Sequence, residues 1–513
     1  MISSDVGLAL LIVAIVSLVI VLANKRQRGL KIEIPLPSRE LSDEWTGNPS
    51  VSIKEGEIPC SDPATGFFIA SVPASSAQDV ADAVKRAKQA QRIYAKDTGF
   101  SKRAQILQSL YDYILENKDD LCRISARDTG KTKLDATFAE IIPTLEKIMW
   151  TIQYGPGALA PESRESGRIS MLTSARVEYH PVGVMGVIVS WNYPIHNVLS
   201  PLVSALMAGN GCVIKCSEQT AWTSVFLSSL IRRVLTAHHV SPDLVSFVNG
   251  YGEAGEALVR SADKITFIGS PRVGQLVMRT ASETLTPVVL ELGGKDAAIV
   301  FNDCEFDQMF GVVMRASLQN AGQNCAGLER ICLQNDVYEA FIEKAGNVYR
   351  DLRVGSPFEN SGKGSAIDVG AITMAAQVDI ISELVDDAVA KGASVVAGGS
   401  VYHHPKYPKG QYYLPTILAD ITPEMRIYHE EVFGPVLLAF KFSSEKEALA
   451  IANATPFGLG AAVFSCDYGK AERVSRQVRA GMCNAGASTT FANLSHLEAL
   501  ECLVLTGLVE LRD

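Results

Sequence analysis

Two neighbouring stretches decide the fold and the chemistry of this chain: PVVLELGGKDAAIVF at residues 287–301 and LQNAGQNCAGLER at residues 318–330. The first places a carboxylate, Glu291, at the end of an apolar run that predicts a buried strand before a Gly293-Gly294 turn. The second places a thiol, Cys325, after a helical pattern. Together they indicate nucleophilic catalysis followed by activation of water. The plainer interpretations are a structural cap for Glu291 and a small buried hydrophobe for Cys325.

Short apolar runs that alternate with helical patterns predict the fold class. The runs before residue 290 are VMGVIVS (184–190), GCVIKC (211–216), LVSFVNG (244–250) and KITFIGS (264–270). A second block has AAIVF (297–301), ERICLQ (329–334) and PVLLAF (435–440). This alternation predicts an α/β protein built on doubly wound parallel sheets. Such sheets bind ligands beyond the carboxyl ends of their strands, so the polar residues that follow each run are candidates for a site.

The segment before the first sheet predicts simpler elements. Residues 32–75 are rich in Pro, Ser and Gly, which is typical of a linker leading into an edge hairpin. Ser76 to Tyr94 and Ser101 to Glu116 carry apolar residues at helical spacing, and Ser76 with Asp79 predicts a capping box. Both helices are expected to be ordinary surface helices.

Length, charge and cysteine content exclude several classes of protein. With 513 residues, 47% of them hydrophobic, the chain can form two or three packed domains. A net charge of −9 argues against a general nucleic-acid binder. Ten cysteines without a C-x-x-C pair predict neither a disulfide scaffold nor a structural zinc site, and no metal site is expected.

The amino terminus differs from the rest of the chain. Val6 to Ala23 is uncharged and apolar, and at ~1.5 Å per residue it spans roughly 27 Å, enough for a thin bilayer. The positive charges follow the apolar run, as in Lys25 and Arg26, whereas a signal peptide has them before it. We therefore predict a single-pass, uncleaved anchor with the remainder of the chain in the cytosol. A cleaved signal or a buried helix is the alternative.

Two features of the first block predict nucleotide binding. Gly250 to Gly255 matches G-x-G-x-x-G between a strand pattern and a helix pattern, although no acidic residue ends a strand at the expected distance, since Asp263 precedes the next strand. The motif is therefore either a pyrophosphate site or a packing turn. Glu218 is the better candidate for a ribose contact, with Lys215 as a donor, and a surface salt bridge is the alternative.

These motifs resemble those of the aldehyde dehydrogenase superfamily. VVLELGGKDA and GQNCAG are similar to its two active-site motifs, and SWNYP, KCSE, FIGSPRVG and EEVFGPV follow in the family's order. The resemblance covers roughly residues 50–482, and the amino-terminal anchor resembles a membrane-tethered subgroup of plants and fungi. Two departures lie inside the motifs, because the family more often has Pro at Ser190 and usually has Thr at Ile268.

The resemblance implies a domain organisation and a cellular setting. A membrane anchor with a basic flank occupies residues 1–31, and a NAD-binding domain occupies residues 32–289 with an oligomerisation hairpin near 160–182. A catalytic domain follows at residues 290–482. We expect a homodimer or homotetramer, an anchor in the endoplasmic reticulum, and no nucleic-acid partner.

The chemistry and the family agree on the catalytic roles. Cys325, as thiolate, attacks an aldehyde, while the amide of Asn192 and the backbone N–H of Cys325 hold the oxyanion. Hydride leaves to the nicotinamide, and Glu291 activates the water that hydrolyses the thioester. A carboxylate at Glu218 favours NAD over NADP. By resemblance the cofactor contacts are Ser190, Trp191, Lys215, Glu218, Gly252, Phe267, Gly269, Ser270, Val273, Leu292, Glu431 and Phe433.

The carboxyl-terminal residues 483–513 depart from the family. After AGMCN the family continues with a Gln-Ser-Leu-Pro-Phe-Gly-Gly segment and a final helix and strand, which this chain lacks. Residues 490–508 can be back-translated so that a shifted frame encodes FCQSLPFGGIRMSGFDRF, which suggests a frameshift or an alternative transcript. The tail is expected to supply neither the segment that borders the catalytic cleft nor the terminal strand.

Two alternative functions remain open from the sequence. The altered tail favours a catalytically silent or misassembled relative anchored to a membrane. An acylating enzyme that passes the thioester to coenzyme A is the other alternative, but Glu291 argues against it because a base that activates water would waste that thioester. The sequence does not identify the aldehyde.

Overall fold

The computed structural model describes residues 28–49, 54–359 and 367–486, and the backbone of 509–512. Within them, two α/β units each surround a mostly or wholly parallel sheet, as the sequence predicted. Both sheets consist largely of buried residues because helices cover their two faces. The helices are α1 Ala77–Asp97, α2 Phe100–Glu116, α3 Lys118–Thr129, α4 Lys133–Ala136, α5 Ile142–Ala158, α6 His196–Ala208, α7 Ala221–Ala237, α8 Gly252–Ser261, α9 Pro271–Thr284, α10 Phe306–Leu318, α11 Asn335–Asp351, α12 Ala375–Ala390, α13 Arg426–His429, α14 Glu445–Ala452 and α15 Tyr468–Ser475.

The first sheet has five parallel strands in the order β7-β6-β5-β8-β9. Their bounds are β5 Val184–Ile188, β6 Gly211–Cys216, β7 Val245–Asn249, β8 Lys264–Ile268 and β9 Val288–Glu291. The chain leaves β5 to one side through β6 and β7 and returns to its other side with β8. The carboxyl end between β5 and β8 is therefore a topological switch point, where sheets of this class bind ligands.

The second sheet has seven strands in the order β12-β13-β14-β11-β10-β15-β16 and is parallel except for β12. Their bounds are β10 Asp296–Val300, β11 Leu328–Gln334, β12 Ser394–Ala397, β13 Thr416–Ala419, β14 Val436–Phe442, β15 Gly460–Phe464 and β16 Met482–Ala485. Since β9 belongs to the first sheet and β10 to the second, the turn between Glu291 and Asp296 joins the two units.

The remaining strands form two small sheets. The predicted edge hairpin is present as β1 Glu57–Ser61 paired with β2 Phe68–Pro73. The hairpin predicted near 160–182 is present as β3 Glu162–Arg164 and β4 Ala175–Pro181. Val509–Arg512 forms β17 and pairs antiparallel with β4, so the expectation that the tail lacks a terminal strand is wrong. The preceding tail residues, 487–508, lie outside the described part of the chain.

The short helical predictions hold, whereas the predicted anchor is not described. Ser76 accepts from the backbone of Asp79 and the Asp79 side chain reaches back, which completes the predicted capping box at the start of α1. Among the described residues, no helix is both long and apolar enough to cross a membrane. The apolar run at residues 6–23 lies outside them.

Candidate active site

Glu291 is the last residue of β9, and its carboxylate has no bonding partner among the described residues. Its backbone oxygen accepts from Gly269 N at 3.0 Å, which aligns it with the carboxyl end of β8. The side chain is half-buried and makes no hydrogen bond or ion pair with the described residues, and burial raises the pKa of its carboxyl. A half-buried carboxylate with a raised pKa and free oxygens is suited to take a proton from water.

The turn after Glu291 requires glycine. Gly293 has φ of +78°, and a Cβ there would lie 2.7 Å from both carboxylate oxygens of Glu431. At Gly294 a side chain would clash with the backbone oxygen of Cys325, and its N–H donates to Glu431 Oε1 at 2.9 Å. The two glycines thus bring the end of β9, the thiol segment and Glu431 into contact.

Cys325 follows a strained turn and is half-buried. Asn320 and Ala321, just before it, have left-handed φ values of 55° and 54°. Burial raises the pKa of the Cys325 thiol to about 12, and the carboxylates of Glu431 and Asp296 contribute to the rise. The thiol is therefore protonated at neutral pH in this form of the protein, so the expected thiolate requires a nearby positive charge or a base.

Asn192 is buried, and one of the two hydrogens on its Nδ2 has no acceptor among the described residues. Its Oδ1 accepts from Ser190 Oγ at 2.7 Å and from Asn197 Nδ2 at 3.3 Å, which fixes the orientation of the amide. Its Nδ2 donates to Gln323 O at 3.2 Å, two residues before the thiol. Because an amide nitrogen carries two hydrogens, the second is free to donate to an oxyanion formed at Cys325.

A buried ion pair positions the loop at residues 431–433. Glu329 pairs with Lys295 at 2.6 Å, and their side chains are 5% and 0% exposed. Glu329 also accepts from Val432 N at 2.9 Å and from Phe433 N at 3.1 Å. Phe433, at a left-handed φ of 50°, meets Trp191 edge-on with 5.4 Å between ring centroids.

Glu431 and Asp296 raise the negative potential around the thiol. Burial and the nearby Glu329 raise the pKa of Glu431 to about 8, and burial raises the pKa of Asp296 to about 7. Asp296 accepts from Gly460 N at 2.9 Å. Burial therefore disfavours the ionised form of both carboxyls, and the negative charge that they carry when ionised raises the pKa of the Cys325 thiol.

The predicted cofactor residues line the carboxyl end of the first sheet. Ser270 caps α9 and is exposed, and Gly252 opens α8 with no atom within 4 Å of its missing Cβ. Two open helix N-termini fit the phosphates of a dinucleotide. Phe267 is buried in the core, so only its backbone is available to a ligand. The other predicted contacts are half-buried or exposed at this edge: Gly269, Val273 and Leu292.

Lys215 and Glu218 form the salt bridge that was the alternative to a ribose contact. The Lys215 Nζ lies 3.3 Å from Glu218 Oε2, and Glu218 remains 30% exposed. Both lie at the carboxyl end of β6, beside the switch point. The pair is compatible with a ribose site because a carboxylate held by a lysine still has oxygens for two hydroxyl groups. Asp263 is used elsewhere, accepting from Val184 N at 2.8 Å.

Sequence reasoning missed the side chains behind the site. Lys295, Asp296 and Glu329 stand as charges at the beginning of buried strand patterns, which was an available signal. Lys131 and Glu140 form a buried ion pair that bonds to the backbone of Asn192. They lie well before Asn192 in the chain, and no motif marks them. Ser190 was expected at the cofactor, but its hydroxyl also orients Asn192.

Comparisons with known proteins point to one family. The model of the aldehyde dehydrogenase family matches residues 51–496. An aldehyde dehydrogenase-like protein of Saccharomyces cerevisiae is 39% identical over 484 residues, covering 90% of this chain and 74% of that protein. A chloroplastic betaine aldehyde dehydrogenase of Beta vulgaris is 33% identical over 465 residues, covering 88% and 89%. The crystal structure of a Mycobacterium tuberculosis aldehyde dehydrogenase complexed with NAD+ has a TM-score of 0.78 and 27% identity, covering 89% of this chain and 90% of that one.

Proposed function

Because the chain belongs to the aldehyde dehydrogenase family, we propose that it oxidises an aldehyde to a carboxylic acid through a thioester on Cys325. The observation that carries the proposal is that three groups lie on segments in mutual contact: the Cys325 thiol, the Asn192 amide, which donates to Gln323 O, and the Glu291 carboxylate, which precedes the Gly293-Gly294 turn against Cys325. A nucleophile, an oxyanion donor and a base are the set required for acyl transfer.

The first step joins Cys325 to the aldehyde carbon. The thiol gives up its proton to solvent and the sulfur forms a C–S bond as the C=O π bond opens. The carbonyl oxygen becomes an oxyanion that Asn192 Nδ2 and the Cys325 N–H stabilise. The residues at the carboxyl end of the first sheet would hold oxidised NAD, which would supply the acceptor for the hydride lost from this carbon as the thioester forms.

The second step frees the enzyme. Glu291 takes a proton from water, the hydroxide attacks the thioester carbon, and the carboxylic acid leaves as the thiol is restored. The raised pKa of the Glu291 carboxyl suits this role because a stronger base removes the proton more easily. The same residue disfavours transfer to coenzyme A.

We assign NAD rather than NADP as the cofactor. Glu218 stands at the end of β6, where its carboxylate would bind two ribose hydroxyls and repel a 2′-phosphate. Turnover with each cofactor in wild type and in Glu218→Ala tests this. A wild type that turns over faster with NADP contradicts the assignment.

The setting that we propose rests on the sequence of the termini. The apolar run at 6–23 with basic residues after it supports a single-pass anchor in the endoplasmic reticulum with the catalytic units in the cytosol. Assembly into a homodimer or homotetramer is proposed from the family, through the hairpin of β3 and β4. Membrane extraction with carbonate and crosslinking of the detergent-solubilised chain test the two proposals.

NADH formation across short, long and aromatic aldehydes tests the function itself. The full chain and a variant carrying FCQSLPFGGIRMSGFDRF in place of residues 491–508 are compared, with Cys325→Ser as the inactive control. We expect NADH from at least one aldehyde class and none from Cys325→Ser. NADH formation that survives Cys325→Ser would exclude the thioester route.

A further inference from the structure

A buried ion pair lies directly behind the oxyanion residue Asn192. The Lys131 Nζ is 2.6 Å from Glu140 Oε1, and both side chains are 0% exposed. Lys131 lies two residues after the end of α3, and Glu140 lies in the π-helical turn Thr137–Ile141. Single π-helical turns within helices are rare and are found frequently at functional sites.

Both members of the pair bond to the backbone of the loop that carries Asn192. Lys131 Nζ donates to Asn192 O at 2.6 Å, and Glu140 Oε2 accepts from Ile195 N at 2.6 Å. The pair therefore spans the tight loop from residue 192 to residue 195 and fixes both of its ends. Lys131 Nζ also lies 4.5 Å from the centroid of the Tyr193 ring, within the same loop.

The Asn192 backbone oxygen joins this pair to the thiol segment. Asn320 Nδ2 donates to Asn192 O at 3.0 Å and to Gln323 O at 3.0 Å. Gln323 O is also the acceptor of the Asn192 amide. Consequently Lys131 and Asn320 meet at one carbonyl oxygen, and a shift of that oxygen moves the amide relative to Cys325.

We propose that Lys131 and Glu140 are positioning residues that hold the Asn192 amide at the distance from Cys325 at which it stabilises the oxyanion. This inference rests on the proposed function. Neither residue reaches the reacting atoms, because both are fully buried beneath the loop.

The fold alone gives little reason for such a pair. Two charges buried in protein lose most of their hydration, and a buried pair is often no more stabilising than apolar side chains of the same volume. The chain has a second pair of similar burial, Arg127 with Asp62, in which Nη1 and Oδ2 lie 2.7 Å apart and the side chains are 1% and 0% exposed. That pair bonds no atom of the 192–195 loop, so it provides a matched control.

The experiment compares Lys131→Met, Glu140→Gln and Asp62→Asn in the full chain, and Lys131→Met in an Asn192→Ala background. We expect Lys131→Met to lower kcat by about 100-fold, the effect of displacing a catalytic group by roughly 1 Å. Its KM for NAD should change by less than about twofold, since no binding contact is lost. In the Asn192→Ala background the same substitution should lower kcat by less than about threefold, because the amide it positions is gone. Asp62→Asn should lower the unfolding midpoint as much while leaving kcat unchanged.

Either of two kinetic results would overturn the proposal: a loss of kcat in Asp62→Asn equal to that in Lys131→Met, or a full additional loss from Lys131→Met in the Asn192→Ala background. A second measurement separates this inference from the proposed function. An aldehyde that adds to Cys325 protects it from iodoacetamide without any cofactor. If wild type forms no NADH but is protected, oxidation is refuted, and weaker protection in Lys131→Met still supports positioning. Equal protection of wild type and Lys131→Met, or no protection of wild type, refutes the positioning role.

Discussion

Asn192→Ala is the most direct test of the oxyanion site. Of the two amide hydrogens that the substitution deletes, only one is available to the oxyanion, because Gln323 O accepts the other at 3.2 Å. The bonds that Oδ1 accepts from Ser190 and Asn197 are lost as well. Loss of one such donor lowers kcat by about 10²- to 10³-fold, or about 2.7–4 kcal/mol of transition-state stabilisation. The pocket retains the backbone N–H of Cys325, so the residual rate should remain measurable.

The assay follows NADH formation at saturating NAD over a range of aldehyde concentrations. Asn210→Ala is the control for the general effect of deleting a buried asparagine, since Asn210 is fully buried and accepts from Gly183 N at 3.2 Å away from the thiol. We expect kcat to fall only in Asn192→Ala, with both variants folded by circular dichroism. A decrease of less than about threefold in a folded Asn192→Ala protein would refute the assigned role, because even one weakened hydrogen bond to a charge is worth more.

Three further predictions follow from the same geometry. Glu291→Gln should release NADH from a single turnover and then stall at the thioester. Rapid quench and intact-protein mass spectrometry would reveal the thioester, and steady turnover equal to that of wild type would contradict the role of Glu291 as the base. In wild type, kcat should fall as the pH drops through the raised pKa of Glu291, because only the ionised carboxylate accepts a proton. A kcat that does not fall on the acid side of the pH profile would count against Glu291 as the base. Burial raises the pKa of Asp128 to about 7, so the folded state holds that proton more tightly and stability falls as pH rises from about 4 to about 7. At about 1.4 kcal/mol per pH unit, Asp128→Asn should remove roughly 4 kcal/mol of that decrease in stability. Urea unfolding at several pH values measures it, and an unchanged dependence of the unfolding free energy on pH would show that Asp128 does not cause the decrease.

The strand pattern was predictable because buried parallel strands are continuous apolar runs. GCVIKC at 211–216 became β6 without a change of bounds, and the other runs shifted by a few residues at most. Glu291 and Cys325 were also identifiable as candidates, since each stands at a junction between a strand or helix pattern and a glycine-rich turn. What such patterns could not predict is the order of the strands, which depends on contacts far apart in the chain.

The protonation state of Cys325 shows the limit of the sequence. The motif indicates a nucleophile, but the pKa of the thiol depends on its burial and on Glu431, more than one hundred residues away. Glu218 shows the same limit, because only the fold shows that its carboxylate meets Lys215 at the edge of the sheet.

The sequence by itself determined the α/β class and singled out the proposed nucleophile, base and oxyanion amide, because each belongs to a short local pattern. Only the tertiary structure decided which buried groups surround them: the Lys131–Glu140 pair beneath Asn192, and the Lys295–Glu329 pair beneath the 431–433 loop. The physical reason is that a local pattern fixes backbone conformation, whereas hydrogen bonds and electric fields at a site arise from residues brought together by folding.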